Sequence, residues 1–278
     1  ERIDEVATHY MELGFSPYNK SVRRLAKALV EVFHGRGLEL PVYVGMRSWN
    51  PYLNKTFRKM MVEGVRKAAV ITLTPFHSPA STDRYDKAIV EACRLLGNGA
   101  PEIVAVDHWH DNTGHVQAIV ENIGDACSAA EIKDPRRVRW LFTNHSLPLS
   151  MVDGTPYVAE YYQTVLRVTG ELGIEDPVLA YQSRSGRRSE KWLEPDIRDA
   201  IKEAAAKGYD TAIVVPVGFV ADNVEVLYDL DMEAKRVADA AGMTMVRPRL
   251  VAEHPRFVSM LADLAASALA PEQRRTET

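Results

Sequence analysis

His145 stands just beyond an apolar run over residues 138–143, within the sequence Asn144-His-Ser-Leu-Pro148. Histidine is the side chain whose ordinary pKa, about 6.5, allows it to exchange a proton or bind a metal ion near neutral pH. The same position also suits a histidine that only forms a hydrogen bond within a turn. Residue type and position therefore leave two interpretations open, proton or metal chemistry and a structural turn.

A second group of candidates is a row of carboxylates spaced four residues apart. Glu225 follows a strand-like run that ends at Pro216-Val-Gly218, and Asp222 is predicted to cap the helix that begins there. Asp229 and Glu233 lie one and two helical turns further along the same face. Because like charges at this spacing repel, the row is either a solvated helix face or a track for protons or a hard divalent cation.

The segment after Tyr181-Gln182-Ser183 is polar and basic, and it leads into Trp192-Leu-Glu-Pro195. Its cations are Arg184, Arg187, Arg188 and Lys191. Guanidinium groups bind carboxylates through paired hydrogen bonds, so this loop suits an acidic substrate. The alternative interpretation is that these four cations are solvated and bind no ligand.

The remaining histidines of interest are His77, which follows a predicted strand, and the group formed by His108, His110 and His115. The short spacing of the group suggests a metal site. However, rings on a strand-to-helix loop need not converge, and no known metal motif accompanies them. We therefore predict a structural turn at His77 and no metal site at residues 108–115.

Alternating strand and helix patterns must position these side chains. Apolar runs of strand length lie at residues 41–46, 68–74, 102–107, 138–143, 178–182, 212–217 and 244–246. Helical periodicity occurs at about residues 20–35, 53–66, 83–97, 114–130, 155–172, 195–207, 222–241 and 255–268. This alternation predicts an α/β fold with parallel sheets, whose ligands bind beyond the carboxyl ends of the strands.

The polar segment 128–137 separates two halves with similar strand and helix order. We predict two Rossmann-like, doubly wound lobes, residues 1–131 and residues 132–278, with a cleft between them. The first lobe is expected to lack its first strand. No glycine-rich nucleotide motif follows any predicted strand.

Composition narrows the class of protein. The 278 residues carry a net charge of −4 without a basic stripe, which disfavours a nucleic-acid partner. Cys93 and Cys127 are the only cysteines, so we expect no disulfide scaffold and no iron–sulfur cluster. No apolar run approaches the ~20 residues that span a bilayer. We expect a cytoplasmic monomer, and peripheral contact with the inner membrane stays open.

Several motifs together resemble the ferrochelatase family. They are Gly14-Phe-Ser-Pro17, Val44-Gly-Met-Arg-Ser-Trp-Asn-Pro51, Asn144-His-Ser-Leu-Pro148, Gly154-Thr-Pro-Tyr157, Tyr181-Gln-Ser183, Trp192-Leu-Glu-Pro195 and Pro216-Val-Gly-Phe-Val-Ala-Asp-Asn-Val-Glu225. They occur in the family's order and span nearly the whole chain.

The resemblance implies an enzyme that inserts Fe²⁺ into a porphyrin held between two lobes, with no cofactor beyond the Fe²⁺ substrate. It places the catalytic and metal-handling roles on His145 and Glu225, and an acidic relay on Asp229 and Glu233. It places porphyrin contacts on Arg47, Trp49, Ser146, Tyr181, Gln182, Ser183 and Arg184. We expect His145 and Glu225 on opposite sides of the macrocycle, one handling iron and the other the pyrrole protons.

Three departures from the family pattern affect the periphery of the site. The opening strand of the family and the loop that follows it, which helps to cover the porphyrin, are expected to be absent from this sequence. Asn223 stands where the family usually has a histidine, and a histidine that some relatives have at the position of Phe76 is here at His77.

The substrate is left open between coproporphyrin III, which the resemblance to soluble bacterial members favours, and protoporphyrin IX. Two other functions also stay open. One is a non-catalytic tetrapyrrole carrier. The other is a chelatase of the cobalt or sirohydrochlorin type, which would require His77 or the histidines of 108–115 to bind metal near His145.

Overall fold

Parallel strands form two sheets in the part of the chain that the computed structural model describes, residues 10–14, 16–106, 108–132, 134–185 and 190–270. The smaller sheet pairs β1 (Lys67–Ile71) with β2 (Glu102–Val106). The larger sheet consists of β3 (Val138–His145), β4 (Val178–Gln182), β5 (Thr211–Val215) and β6 (Thr244–Val246), in the order β4-β3-β5-β6. The predicted α/β fold with parallel sheets is confirmed.

Helices connect the strands, as the periodicity predicts. They are α1 (Tyr18–Gly35), α2 (Leu53–Val62), α3 (Thr82–Leu96), α4 (Thr113–Ala129), α5 (Leu149–Val152), α6 (Tyr157–Leu172), α7 (Ile197–Ala206), α8 (Lys235–Ala240) and α9 (Pro255–Leu269). A π-helix, Val226–Ala234, directly precedes α8, and short 3₁₀ turns lie at Gly97–Gly99, Pro135–Arg137 and Val251–Glu253.

Both faces of the larger sheet are covered. Leu141 packs with one core cluster and its neighbour Phe142 with the other, and Val214 and Ile213 divide in the same way. Because successive side chains of a strand point to opposite faces, this division requires helices on both sides. The strands are apolar along their length for that reason, and polar residues are confined to their ends.

Two predicted elements differ from the structure. Residues 41–46 were predicted as a strand, but within the described residues they form only one isolated bridge, between Met46 and Tyr52. No strand pairs with them in the part of the chain that the structure describes, and they border a cavity of about 590 Å³ that β1 also lines. The predicted helix 222–241 is divided into the π-helix and α8.

The division into lobes at residues 131 and 132 stays a prediction. The largest core cluster joins residues of both halves, among them Leu25, Phe76, Tyr161 and Phe257. Helix α9, which belongs to the second half of the chain, packs against α1, α4, β1 and β2. None of the helices described is both long enough and apolar enough to cross a membrane.

Candidate active site

His145 is the last residue of β3, and the parallel register sets it opposite Gln182, the last residue of β4. Its Nδ1 lies 2.5 Å from the carbonyl oxygen of Ser146. A carbonyl can only accept a hydrogen bond, so Nδ1 carries the hydrogen and donates it. Consequently Nε2 is the nitrogen that gains or loses a proton, and it points toward Glu225.

Glu225 lies in the short helical turn that immediately precedes the π-helix, after β5, the other strand beside β3. Its Oε1 lies 3.6 Å from Nε2 of His145. The side chain of His145 is 29% exposed and that of Glu225 is 50% exposed, so the pair is accessible from solvent. The ends of adjacent parallel strands have thus brought an imidazole and a carboxylate into contact, as the rule for ligand sites in such sheets predicts.

Opposing effects act on the pKa of His145. Burial lowers it, whereas the hydrogen bond and charge of Glu225, the carbonyl of Ser146 and the charge of Asp229 raise it. The attractions prevail, and the pKa lies above the ordinary 6.5. The protonated ring therefore stabilises the fold below pH 6.5, and this contribution is lost as the pH rises through the folded-state pKa.

We expect an NMR titration of the His145 ring to give a pKa above 6.5 in the wild-type protein and a lower pKa in Glu225→Gln. The substitution removes the carboxylate that favours the charged ring while it keeps the side-chain shape. A pKa that stays the same or rises in the variant would show that Glu225 does not control the protonation of His145.

The expected arrangement of the pair around a macrocycle needs correction. A flat ring between two side chains requires about 7 Å, two carbon contact distances of about 3.5 Å each. The 3.6 Å between Nε2 of His145 and Oε1 of Glu225 leaves no such space. A macrocycle with one group on each side would therefore require these two side chains to move apart.

The carboxylate row begins at Glu225, just before the π-helix, and continues on it at Asp229 and Glu233. A π-helix has more residues per turn than the 3.6 of an α-helix, so side chains four residues apart stay closely aligned. Asp229 accepts a hydrogen bond from the hydroxyl of Ser183, a non-glycine residue with a left-handed φ of 61°. Glu233 accepts one from Arg198 at 3.1 Å. Both outer carboxylates are therefore engaged by residues that come after β4.

The start of the π-helix is also different from the prediction. Asn223, not Asp222, caps it, with Oδ1 accepting from the backbone N–H of Val226 at 2.9 Å. Asp222 instead pairs with Arg247 at 3.2 Å. Asparagine at position 223 thus has a structural use where the family usually has histidine.

Tyr157, Asn144 and Gly218 support His145 from behind. The buried hydroxyl of Tyr157 lies 2.9 Å from Oδ1 of Asn144 and 2.8 Å from the carbonyl oxygen of His145. A Cβ on Gly218 would come within 2.0 Å of Oδ1 of Asn144, so only glycine permits this close approach of the two strand ends. All three residues belong to the sequence motifs, but the motifs do not indicate that these residues contact one another.

The seven residues predicted to contact porphyrin occupy two kinds of environment. Tyr181 and Gln182 are buried, and Gln182 accepts a hydrogen bond from Thr143. Ser146 is also buried and donates to the carbonyl oxygen of Leu193. Ser183 is bonded to Asp229 as described above.

Arg47, Trp49 and Arg184 form the accessible part of that set. Trp49 is 63% exposed, Arg47 is exposed, and Arg184 lies 3.6 Å from Glu194. Arg187 and Arg188 lie outside the described residues. Porphyrin contact by these side chains stays a prediction.

The other histidines contact protein groups, and two of them share a carboxylate. His77 lies 3.0 Å from Asp83. His108 and His110 both approach Oε1 of Glu160, at 3.3 and 3.9 Å, and His110 also lies 3.0 Å from Gln163. His115 is buried, with Nδ1 at 2.8 Å from the carbonyl oxygen of His110. Burial lowers the pKa of His115 to about 4. Within the described ranges no group of three or more histidine, cysteine or acidic side chains is arranged to hold a metal ion.

A cavity of about 500 Å³ opens beside His145 and Glu225. Its walls come from both halves of the chain, and they include Tyr18, Leu73 and Ser81 as well as Tyr157 and Phe219. The site therefore combines a cavity of polar and apolar walls with an imidazole, a carboxylate and an acidic helix.

Comparison with known proteins identifies the family of the chain. The family model described as Ferrochelatase matches residues 1–269. The chain belongs to the ferrochelatase family. The ferrochelatase of Rhodopirellula baltica is 36% identical over 97% of this chain and 77% of its own length. The coproporphyrin III ferrochelatase of Streptomyces griseus is 36% identical over 99% of this chain and 78% of its own length.

Solved structures of chelatases share the fold of this ferrochelatase-family chain. A sirohydrochlorin chelatase, SirB from Bacillus subtilis subspecies spizizenii in complex with cobalt, superimposes with a TM-score of 0.60 at 12% identity and covers 88% of each chain. SirB from Bacillus subtilis with Fe³⁺ gives a TM-score of 0.62 at 13% identity, over 90% of this chain and 91% of its own. At these identities the likeness concerns the fold alone.

Proposed function

We propose that this chain is a ferrochelatase that inserts Fe²⁺ into a porphyrin for haem synthesis, with coproporphyrin III as the favoured substrate. The observation that carries the proposal is the contact of His145 with Glu225 at the mouth of the cavity, 3.6 Å apart. Membership of the ferrochelatase family supports it.

Metal insertion replaces two inner N–H protons of the porphyrin by one Fe²⁺, so two protons must leave the ring. The neutral Nε2 of His145 accepts the two pyrrole protons one after the other, passing on the first before it takes the second, and the elevated pKa of this ring makes it a better base for each transfer. Glu225 takes the proton from the imidazolium, and Asp229 and Glu233 continue the relay toward solvent.

Binding must also expose the pyrrole nitrogens, because a planar ring shields them from an approaching ion. Contacts with the ring edge offset the strain of bending the macrocycle. The exposed Trp49 and Arg47, together with Arg184, are the candidates for such edge contacts. Guanidinium groups suit the carboxylates of the porphyrin side chains.

Two lines of support favour coproporphyrin III. Relatives from Streptomyces griseus and Frankia alni, 36% and 38% identical to this chain, carry the name coproporphyrin III ferrochelatase. In addition, the exposed cations of the predicted porphyrin-binding set match a substrate with four carboxylates better than one with two.

The test is an assay of Fe²⁺ insertion into coproporphyrin III and protoporphyrin IX side by side, followed by the shift of the Soret band. We expect turnover of coproporphyrin III, with or without turnover of protoporphyrin IX. The kcat/KM should be at least about tenfold higher for coproporphyrin III, since each extra charge-assisted contact strengthens binding. Equal values would remove the substrate preference. Tight porphyrin binding without any insertion would instead make the chain a carrier.

Location, assembly and cofactor content are part of the same proposal. We propose a cytoplasmic monomer without an iron–sulfur cluster. Cys93 and Cys127 are free thiols, as a reducing compartment favours, and burial raises the pKa of both thiols. Thiols with raised pKa are poorer metal ligands, because the thiolate is the ligating form.

A further inference from the structure

Arg198 lies at the outer end of the carboxylate row. Its Nε and Nη2 donate to the two carboxylate oxygens of Asp196 at 2.8 and 2.9 Å, and its backbone N–H donates to the same side chain at 2.8 Å. Its remaining nitrogen, Nη1, donates to Oε2 of Glu233 at 3.1 Å. One guanidinium thus joins the cap of α7 to the last carboxylate of the π-helix.

This contact gives the row a different cation at each end. Glu225 faces His145, whose charge depends on pH near neutrality, whereas Glu233 faces an arginine that stays charged. The paired hydrogen bonds with Asp196 raise the pKa of Arg198 further. The anchoring by Asp196 also fixes the guanidinium in place, so the positive charge near Glu233 is permanent.

We infer that Arg198 is a positioning residue for metal insertion, whose fixed positive charge weakens the hold of Glu233 on divalent cations and favours their passage toward Glu225. The inference rests on the proposed function, because the cation concerned is the Fe²⁺ substrate. A carboxylate row that held Fe²⁺ tightly at its outer end would retain the ion there. A fixed cation at that end reduces retention.

The expected size of the effect follows from the charges. A divalent ion bound by Glu233 would lie within about 6 Å of the guanidinium, where repulsion in a water-like dielectric changes affinity by about 3- to 10-fold. Salt reduces this repulsion at distances near the Debye length of about 10 Å at 0.1 M. The measurement therefore belongs at low ionic strength.

The first test measures Mn²⁺ binding to the protein without porphyrin, from the EPR signal of free Mn²⁺. We expect Arg198→Gln to bind Mn²⁺ about 3- to 10-fold more tightly than the wild type, and Arg198→Lys to stay closer to it. Lys202→Gln is the matched control, since it removes one positive charge from the same helix at a side chain that pairs with Asp199. An unchanged or weaker affinity in Arg198→Gln would overturn the inference.

A double-mutant cycle with Glu233→Gln identifies the partner. If Arg198 acts through Glu233, Arg198→Gln has little effect on Mn²⁺ affinity once Glu233 is neutral. If Arg198→Gln raised the Mn²⁺ affinity of the Glu233→Gln protein as much as that of the wild type, the inference would be contradicted. Arg198→Leu, which suits a helix and is also neutral, replaces Arg198→Gln if the latter fails to fold, with the same expectation.

Turnover provides the last readout. In Arg198→Gln we expect the KM for Fe²⁺ to fall about 3- to 10-fold without a gain in kcat, a split that a merely structural role would not produce. An unchanged KM would count against the inference. If the wild type inserts no iron at all, the proposed function fails, yet the Mn²⁺ measurement still decides the role of Arg198.

Discussion

His145→Ala is expected to lower the rate of Fe²⁺ insertion by about 10² to 10⁴-fold, the usual contribution of a positioned general base. Nε2 is the only atom of this ring available to the substrate, because Nδ1 is held by the carbonyl of Ser146. Alanine removes the proton acceptor and leaves Glu225 without its imidazole partner. The measurement is the Soret shift under saturating porphyrin and Fe²⁺.

Porphyrin binding separates loss of chemistry from loss of the site. We expect the porphyrin Kd of His145→Ala to stay within about threefold of the wild type, because the other residues that line the cavity are unchanged. His34→Ala is the control, since it removes an exposed imidazole that pairs with Glu39 on the surface. A near-normal rate in His145→Ala would eliminate this residue as the base.

The sequence indicated which strands position His145 and Glu225. His145 and Glu225 follow two apolar runs, and parallel strands direct their carboxyl ends to one edge of a sheet. Periodicity also indicated the helix that carries the acidic row. It did not distinguish a π-helix from an α-helix, because a spacing of four residues suits both.

Contacts between segments that are distant along the chain could not be predicted from the sequence. Arg198 and Glu233 are 35 residues apart, and nothing in the pattern of either helix indicates that they meet. The hydroxyl of Tyr157 and the amide of Asn144 likewise meet only because α6 packs against the end of β3. Such pairings depend on how helices pack on the sheet, which local residue patterns do not determine.

Burial was the other property that residue type did not predict. Ser146 and Tyr181 belong to polar strand ends and were assigned to the porphyrin, yet both are buried. Buried polar groups must find partners within the protein, and Ser146 does so at the carbonyl of Leu193. Arg47 and Trp49 also belong to a motif, yet both are exposed, so membership of a motif does not determine whether a side chain is buried or exposed.

Glu225→Gln is expected to lower the insertion rate by about 10²-fold or more while the fold stays stable. The amide keeps the shape of the side chain but neither accepts a pyrrole proton from His145 nor attracts Fe²⁺. Removing one negative charge also relieves repulsion within the row that continues to Asp229. We therefore expect a melting temperature within about 3 °C of the wild type.

Two comparisons make the Glu225 result specific. Glu203→Gln neutralises an exposed carboxylate that pairs with Lys207, and its insertion rate should match that of the wild type. Glu225→Asp keeps the charge but shortens the side chain, so it should retain more activity than Glu225→Gln. If Glu225→Gln turned over normally, the protons would have to leave His145 by another route, and the acidic row would then be a solvated helix face.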